Sequence, residues 1–394
     1  MKQDTFKGFE EPKPEKNGKK ERLVQEWEVP SWTDPTTRYK VRREGSKWTC
    51  TCYFFTERIQ KSEKPNRDCK HIQFKKEELG IIKEDLSGYK SAIQKALRRG
   101  SLPLLKLSFS KLWEKEPKWL LWRLPILAAE ETWTYTGYAG RVVFAENPQR
   151  EDVWKLLANI ALHPKNKEAE GIRILADKCI LHKEDPKRLI RDVERLNIFY
   201  GWMEVRKRIE TIEADKEGFW AWWNGWLTSG NDFAAEILKT CKRRVYFGGM
   251  SGDKELLLTV AYFACVLKVE PFELEEVPAE EEEEALTEIP WYCWDMHTSI
   301  GKIAYYQIKK MFQDESMGEY VGMELWFNLG SAWCDSLVED SYWWELCLKA
   351  WAKRRGKTLD KCREEYKRWI PKIRERVERI LAARRRNGQK STNQ

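Results

Sequence analysis

The sequence has no long hydrophobic run. No segment of its 394 residues approaches the ~20 consecutive apolar residues that a membrane-spanning helix needs. The first residues, Met1-Lys2-Gln3-Asp4, are polar and do not begin the apolar stretch of a secretory signal. Apolar residues still make up 42% of the chain, which is enough for a globular core. We therefore expect a cytoplasmic protein without a membrane partner.

Recognisable catalytic patterns are also missing. The phosphate-binding motif G-x-x-x-x-G-K-[ST] does not occur. The glycine-rich stretch Gly248–Lys254 has the wrong spacing, so we interpret it as a turn in which Ser251 caps the next helix. Asp295 and His297 lack further ligands nearby, so Asp295 or Thr298 is expected to cap a helix. Without a convincing carboxylate pair, or a nucleophile beside a base, the chain is predicted not to be an enzyme.

Histidine is scarce, with four residues, and the ten cysteines include no C-x-x-C pair. Cysteines in a chain without an export signal favour a reducing compartment and metal binding over disulfides. Seven cysteines are widely scattered, and we expect them to pack as small apolar residues. These are Cys179, Cys241, Cys265, Cys293, Cys334, Cys347 and Cys362.

The other three cysteines form two evenly spaced pairs with one histidine. Cys50 and Cys52 are one i, i+2 pair, and Cys69 and His71 are another. In a strand, residues i and i+2 point to the same face, so a pair can offer two ligands to one ion. Three sulfurs and one imidazole complete a tetrahedral Zn²⁺ shell, which is typical of a structural site. The alternative is that these residues are simply small buried side chains.

The pattern C-x-C…C-x-H resembles a SWIM zinc finger. The aromatic and basic lead-in Arg38–Arg42 is similar to that family as well, and the resemblance covers about residues 26–80. It implies binding to DNA or to another protein. Alternating residues predict a hairpin of Arg38–Val41 and Lys47–Phe55, and a short helix is expected over His71–Leu79.

The net charge of +8 is unevenly distributed. The finger and the C-terminal tail are basic, whereas residues 270–288 are acidic. Basic patches attract phosphate backbones, so two separate basic regions favour a nucleic-acid partner, which we expect to be DNA. The alternative is that these charges only form solvated faces. The candidate contacts are Arg42, Arg43, Lys47, Arg58, Arg67, Arg374, Arg376, Arg384, Arg385 and Arg386.

At Asp85 strand signals give way to helical periodicity. The predicted fold class is therefore mainly α, with a small zinc-stabilised β-hairpin module in front of a multi-helix body. The predicted segments are a disordered tail over 1–25, the finger over 26–82, a helical domain over 85–269, an exposed acidic linker over 270–289, and a C-terminal helical region with a basic tail over 290–394.

Local signals place several helices in the domain over 85–269. Ser87 is a suitable N-cap and Gly100 a suitable C-terminal glycine for the first helix. A helix over Pro117–Glu131 contains Pro125, which should kink it. Four tryptophans crowd the segment Phe219–Trp226, where we expect core packing, with stacking on nucleobases as the alternative.

Two segments of this domain resemble the C-terminal region of the MgsA/RarA family, which are AAA+ ATPases related to clamp loaders. They are Ser91–Gly100, a basic helix ending in Arg-Gly, and Trp122–Glu131, which ends in Glu-Glu. The resemblance implies a helical, collar-like body that forms a tetramer and associates with stalled replication forks. The family's ATPase portion has no counterpart here, so ATP-driven remodelling is not carried over.

Two functions follow from these features. The first is a non-enzymatic DNA-binding protein of replication, recombination or repair, in which zinc shapes the finger and the helical body supplies assembly. The second is a protein-interaction adaptor that recruits a separate ATPase or clamp-loader component. Binding of DNA that weakens steeply with salt distinguishes the first function from the second.

Overall fold

The structure is a computed structural model of the whole chain. It describes residues 24–31, 37–59, 68–79, 85–166, 168–188, 193–209, 216–227, 232–246, 251–269, 273–295, 297–301, 352, 356–362, 364, 371–372 and 374–382. The predictions of a disordered N-terminal tail and a basic C-terminal tail fall mainly on residues outside these ranges. Of the predicted turn over Gly248–Lys254, residues 248–250 also lie outside them, whereas a helix already begins at Ser251, so the turn is wrong from that residue on.

The chain divides into two compact units, one ending at Glu84 and the other beginning at Asp85. The N-terminal unit contains an antiparallel sheet in the order β1-β2-β3, a π-helical turn and one helix. The bounds are Val24–Pro30 for β1, Arg38–Glu44 for β2, Lys47–Cys50 for β3, Phe54–Ile59 for the turn and Lys70–Glu78 for α1. The predicted hairpin is present, although its second strand is shorter than expected, and β1 adds a third strand.

Alternation of side chains decides which face of the sheet is buried. Val41 and Cys50 are paired across β2 and β3 and are both buried, whereas the neighbouring Arg42 is exposed. At the tip of the hairpin Gly45 has a φ of +62°, a left-handed conformation that costs glycine little. This tight turn sets the register and keeps the apolar face of the sheet turned toward α1.

Helix α1 packs on the sheet partly through cations that lie above aromatic rings. Trp27 and Trp48 stack with their ring centroids 5.6 Å apart. The Nζ atom of Lys75 lies 5.1 Å from the centroid of Trp27, and that of Lys76 lies 5.3 Å from the centroid of Trp48. Contacts of this kind contribute on the order of 0.5–2 kcal/mol each. These two lysines are therefore packing residues of the unit.

The second unit is helical, which confirms the predicted mainly α fold class with its N-terminal β-module. Among the described residues, no helix is long and apolar enough to cross a membrane. The helix bounds are Ser87–Arg99 for α2, Leu102–Lys115 for α3, Pro117–Glu131 for α4, Thr136–Val143 for α5, Arg150–Leu162 for α6, Glu168–His182 for α7, Val193–Ile209 for α8, Lys216–Leu227 for α9, Asp232–Tyr246 for α10 and Ser251–Val266 for α11.

The two ends of α2 differ in how well the sequence predicts them. Gly100 follows the helix in a left-handed conformation, as predicted, and its N–H donates back into the last turn. The prediction that Ser87 is the N-cap is wrong, because Ser87 is already the first helical residue. The Asp85 carboxylate accepts a 3.0 Å hydrogen bond from the Ser87 N–H. An acceptor two residues upstream thus replaces the expected serine cap.

Two apolar cores are present among the described residues of the helical unit, and α4 contributes to both. The first core also contains α7 to α11, and the second contains α2, α3, α5 and α6. Trp220 and Trp223 of α9 are buried in the first core, so the expected core packing is confirmed for both. The side chain of Trp226 lies outside the described part of the structure. Pro125 lies inside α4, which continues beyond it to Glu131.

The charged residues of the two segments that resemble the MgsA/RarA family pair with one another. Arg98 of α2 contacts Glu131 of α4, whose side chain is fully buried. Arg123 of α4 contacts Glu130 at 2.7 Å and Asp253 of α11 at 3.0 Å. The conspicuous arginines and glutamates of these segments therefore tie α2, α4 and α11 together within the fold.

The prediction of an exposed acidic linker is wrong for part of the segment. Residues 273–295, which we call the acidic strap, run along the helical body, and Glu280 in them is buried. Arg150 of α6 donates two hydrogen bonds to the Glu280 carboxylate, and Ser110 of α3 donates a third. A high density of charged residues predicts exposure only where the fold brings no hydrogen-bonding or oppositely charged partner close to them. Here the partners of Glu280 are far away in the sequence, so the sequence did not reveal them.

A buried ion pair joins the end of the strap to α2. Lys95 and Asp295 are in contact with side chains that are 2% and 5% exposed, and Ser91 hydrogen-bonds to both. Burial by itself raises the pKa of Asp295, but the Lys95 charge and hydrogen bonds to the carboxylate lower it overall. Because the unfolded pKa of Asp is ~3.9, this stabilisation is present above that pH and is lost as the pH falls through the folded pKa.

Replacing Asp295 with Asn should destabilise the helical unit by about 3–5 kcal/mol, because it leaves the Lys95 ammonium buried without a counter-charge. Denaturant unfolding monitored by circular dichroism measures this loss. The double variant Lys95→Met with Asp295→Leu should recover most of it, since no buried charge remains. Glu276→Gln is the control, because it neutralises a carboxylate whose side chain is 94% exposed. A loss of less than about 1 kcal/mol for Asp295→Asn would contradict the assignment of a structural pair.

Candidate metal centre

The four predicted ligands come from two places in the N-terminal unit. Cys50 is the last residue of β3, and Cys52 follows it just before the π-helical turn. Cys69 immediately precedes α1, and His71 lies in the first turn of that helix. Cys52 thus lies beyond the end of β3, and the second pair lies at a helix start. The expectation that strand geometry turns each pair to one face is therefore wrong, although the four residues do come together. The ligand atoms of all four residues lie within 4.8 Å of one another, so the group can hold a metal ion.

The spacing of the ligand atoms suits a tetrahedral ion. The Nδ1 atom of His71 lies 3.8 Å from the Cys50 sulfur and 3.9 Å from the Cys69 sulfur. With metal–sulfur and metal–nitrogen bonds of ~2.3 and ~2.05 Å, a tetrahedral site requires sulfur and nitrogen atoms about 3.6 Å apart. The two sulfur–nitrogen distances would therefore need to shorten by only a few tenths of an ångström for His71, Cys50 and Cys69 to bind one ion. Four protein ligands leave no position on such an ion for a substrate.

Backbone amides point at the sulfurs, as thiolate ligands require. The N–H of Cys52 donates to the Cys50 sulfur, and the N–H of Phe55 donates to the Cys52 sulfur, each at 3.4 Å. The N–H of Ile72 is hydrogen-bonded to Cys69. Each sulfur thus has an amide that stabilises its charged form. Sequence spacing did not indicate these donors, because they depend on the local turn and on the start of α1.

The pKa values of the three thiols are set mainly by the other two thiols of the group. A hydrogen bond with Cys52 raises the pKa of Cys50 to about 11. Hydrogen bonds from Cys50 and Cys69 lower the pKa of Cys52 well below that of a free thiol. Hydrogen bonding to Cys50 raises the pKa of Cys69. The three thiols are therefore close enough to shift one another's pKa, as side chains that can share one ion must be.

Tyr39 orients the histidine ligand. Its ring centroid lies 4.6 Å from that of His71, with the rings inclined at 50°. Tyr39 is on β2, so the sheet supports the imidazole whose Nδ1 faces the sulfurs. Tyr53 has a different environment, since its side chain is 73% exposed directly after the ligand Cys52. The spacing of the ligands predicted neither the contact of Tyr39 with His71 nor the exposure of Tyr53.

The predicted nucleic-acid contacts of β2 and β3 do not all lie on one surface. Arg42 and Lys47 are exposed. Arg43 points the other way, where its guanidinium lies 5.5 Å from the Trp48 ring centroid and donates to the carbonyl of Gly45. Arg43 therefore lies on the other face of the strand from Arg42, since successive side chains of a strand alternate between faces.

The remaining predicted contacts are less well defined or lie elsewhere. Arg374 is exposed and forms a 2.8 Å ion pair with Glu378, and Arg376 is half-buried. Arg58 lies in the π-helical turn, but its side chain is outside the described part of the structure. Four further positions lie wholly outside the described residues: Arg67, Arg384, Arg385 and Arg386.

The Asp295 carboxylate is engaged in contacts within the helical unit. The Asp295 carboxylate contacts Lys95 and Ser91 and accepts a hydrogen bond from the His297 backbone N–H. Thr298 fulfils the predicted capping role, since its hydroxyl accepts a 2.9 Å hydrogen bond from the Gly301 N–H. Within the described ranges, the Cys50, Cys52, Cys69 and His71 group is the one set of three or more candidate metal ligands.

Comparisons with protein-family models, with curated proteins and with solved structures found no match to this chain.

Replacing Cys69 with Ser should reduce bound metal from one ion per chain to nearly none after dialysis. A structural ion contributes on the order of 10 kcal/mol to a small module, so the N-terminal unit should also lose its protection from proteolysis. Metal analysis and limited proteolysis measure the two effects. Cys179→Ser, at a buried cysteine of the helical unit, is the control. Equal metal content in both variants would contradict the proposed ligand set.

Metal binding should strengthen steeply as the pH rises. The raised pKa values of Cys50 and Cys69 mean that both thiols lose a proton when an ion binds. Two released protons change the affinity by about 100-fold per pH unit near neutrality, since each contributes a factor of about ten. Titration with a chelator-buffered metal at several pH values measures this slope. An affinity independent of pH between 6 and 8 would show that the thiols do not bind the metal as thiolates.

Proposed function

We propose that this chain is a non-enzymatic zinc-finger protein that binds DNA through its N-terminal unit. One observation carries the proposal: the metal ligand Cys50 and the exposed cation Lys47 are the two ends of the same short strand, β3. An ion bound to Cys50 would therefore hold this strand, and β2 beside it, in place. Zinc is the ion that a tetrahedral site of three sulfurs and one nitrogen favours.

Exposed side chains of the N-terminal unit support a nucleic-acid partner. Arg42 and Lys47 are exposed, and neither has an ion-pair partner among the described residues. Tyr53 adds an exposed ring directly after a ligand. Exposed cations bind phosphates, and exposed aromatic rings can stack on bases. Because all four metal positions are taken by protein, we assign the ion a structural role and propose no catalysis.

The role in replication, recombination or repair rests on the resemblance of Ser91–Gly100 and Trp122–Glu131 to the MgsA/RarA family. In this proposal the helical unit serves as an assembly scaffold, and the resemblance suggests a homo-tetramer. The zinc-bearing unit then targets this scaffold to DNA. The finger would thereby stand in front of a body that resembles part of a family with an ATPase.

A protein-interaction adaptor is the second candidate, and the charge pattern of the sheet favours it. On the outer face, Lys40 pairs with Glu26 at 3.1 Å and Arg38 pairs with Glu28 at 3.7 Å. Carboxylates at these positions repel phosphates, whereas a mixed surface suits another protein. On this view the finger contacts protein, and the helical body recruits a separate ATPase or clamp-loader component.

The double variant Arg42→Ala with Lys47→Ala should weaken DNA binding and reduce its salt dependence. Loss of two phosphate contacts lowers the slope of log K against log salt by about 1.8 for duplex DNA. Fluorescence anisotropy over a series of salt concentrations measures both. Lys207→Ala with Lys239→Ala removes the same charge from two exposed positions of the helical unit and is the control.

Two outcomes would count against DNA binding by the finger. One is absence of binding by the zinc-loaded protein at low salt, and the other is an equal loss of affinity in the control variant. Recovery of a protein partner that survives nuclease treatment and depends on Arg42 and Lys47 would instead support the adaptor.

A further inference from the structure

The acidic strap lies in a groove between α3 and α6 that contacts it at regular intervals. On α3, the carbonyl of Pro103 accepts from the strap, and Lys106 and Ser110 donate to it. On α6, the contacting side chains are those of Arg150, Trp154, Lys155 and Asn159. Residues three or four apart lie on one face of a helix, so two facing stripes line this groove.

Buried side chains of α6 recognise the peptide backbone of the strap. The Asn159 side-chain amide accepts from the Glu275 N–H at 2.9 Å and donates to the Glu275 carbonyl at 3.1 Å. Trp154 donates from Nε1 to the Pro278 carbonyl at 2.9 Å. Both side chains are 3% exposed. A peptide unit offers this paired donor and acceptor, and a phosphate backbone has no such donor.

The groove also recognises one carboxylate. Glu280 receives hydrogen bonds of 2.6–2.7 Å from Arg150 and one of 2.6 Å from Ser110. Burial by itself raises the pKa of Glu280, but these hydrogen bonds outweigh it and lower the pKa overall. The glutamate is therefore held as a carboxylate. It lies five residues after Glu275, whose backbone pairs with Asn159.

The strap is held differently along its length. Over residues 274–283, Glu280 is the one buried side chain, and Leu274 and Val277 are half-buried. Further along, Ile289 and Cys293 are buried in the second core. Leu274 and Val277 pack against that core only in part. Segments with few fully buried apolar side chains open locally at lower cost than segments anchored in a core. Residues 274–283 can thus detach while the end of the strap stays in place.

We propose that the α3–α6 groove is a recognition site for extended acidic peptides, which the chain's own residues 274–283 occupy as an exchangeable internal ligand. The partner that fits is a protein segment in extended conformation with a carboxylate five residues after the position that pairs with Asn159. Such a partner competes with the strap. Its apparent association constant is therefore the intrinsic constant multiplied by the fraction of chains in which the groove is open.

The test uses the full chain and a fluorescein-labelled peptide with the sequence of residues 273–285. Glu280→Gln in the protein weakens the internal ligand, so the peptide should bind this variant about tenfold or more tightly than the wild type. Glu281→Gln is the matched control, because the Glu281 side chain is exposed. Glu281 contacts α3 through its backbone carbonyl, which the substitution leaves in place. Adding Arg150→Gln to the Glu280→Gln variant should abolish the gain.

Three results would overturn the proposal. They are equal peptide binding by Glu280→Gln and Glu281→Gln, no measurable binding to either variant, and displacement of the bound peptide by a DNA oligonucleotide but not by unlabelled peptide. Hydrogen exchange on the wild-type chain gives an independent readout. Amides of 274–283 should exchange faster than those of 289–293, and equal protection would show that the strap is a fixed part of the fold.

Discussion

The N-terminal unit depends on the gathering of three thiols and one imidazole. Among the residues that the structure describes, its core contains seven buried apolar side chains, and three of them are Cys50, Cys52 and Cys69. So few contacts supply little of the free energy needed to order a sheet and a helix. Ligand bonds to one ion would join β3 to the start of α1, and the rings of Trp27 and Trp48 then pack beneath the lysines of that helix.

The helical unit is stabilised differently, because its two apolar cores are large and polar contacts select the arrangement around them. The pairs Lys95–Asp295 and Arg98–Glu131 are largely buried, and each joins elements far apart in the sequence. Buried ion pairs add little net stability, but breaking one partner is costly. They therefore penalise alternative packings. Polar contacts also fix the position of the acidic strap, since Arg150 and Asn159 hydrogen-bond to it.

Patterns that depend on a few neighbouring residues were predictable. The hairpin followed from alternation around Gly45, the end of α2 followed from Gly100, and the four ligands followed from their repeated spacing. Patterns that depend on distant partners were not. The strap was expected to be exposed because its glutamates are crowded, yet Glu280 is buried against Arg150, which is 130 residues away. Arg42 and Arg43 looked equivalent until the strand register separated them.

The sequence by itself determined the fold class, the boundary near Asp85 and the identity of the candidate metal ligands, because periodicity, composition and ligand spacing are local properties of a chain. Only the tertiary structure decided which charges are paired. It directed Arg98 and Arg123, of the segments ending in Gly100 and Glu131, into ion pairs of the fold, and it turned an acidic run into a bound strap. The reason is physical: a charge lies in water or in a fold according to the partner within a few ångströms, and that partner is set by packing.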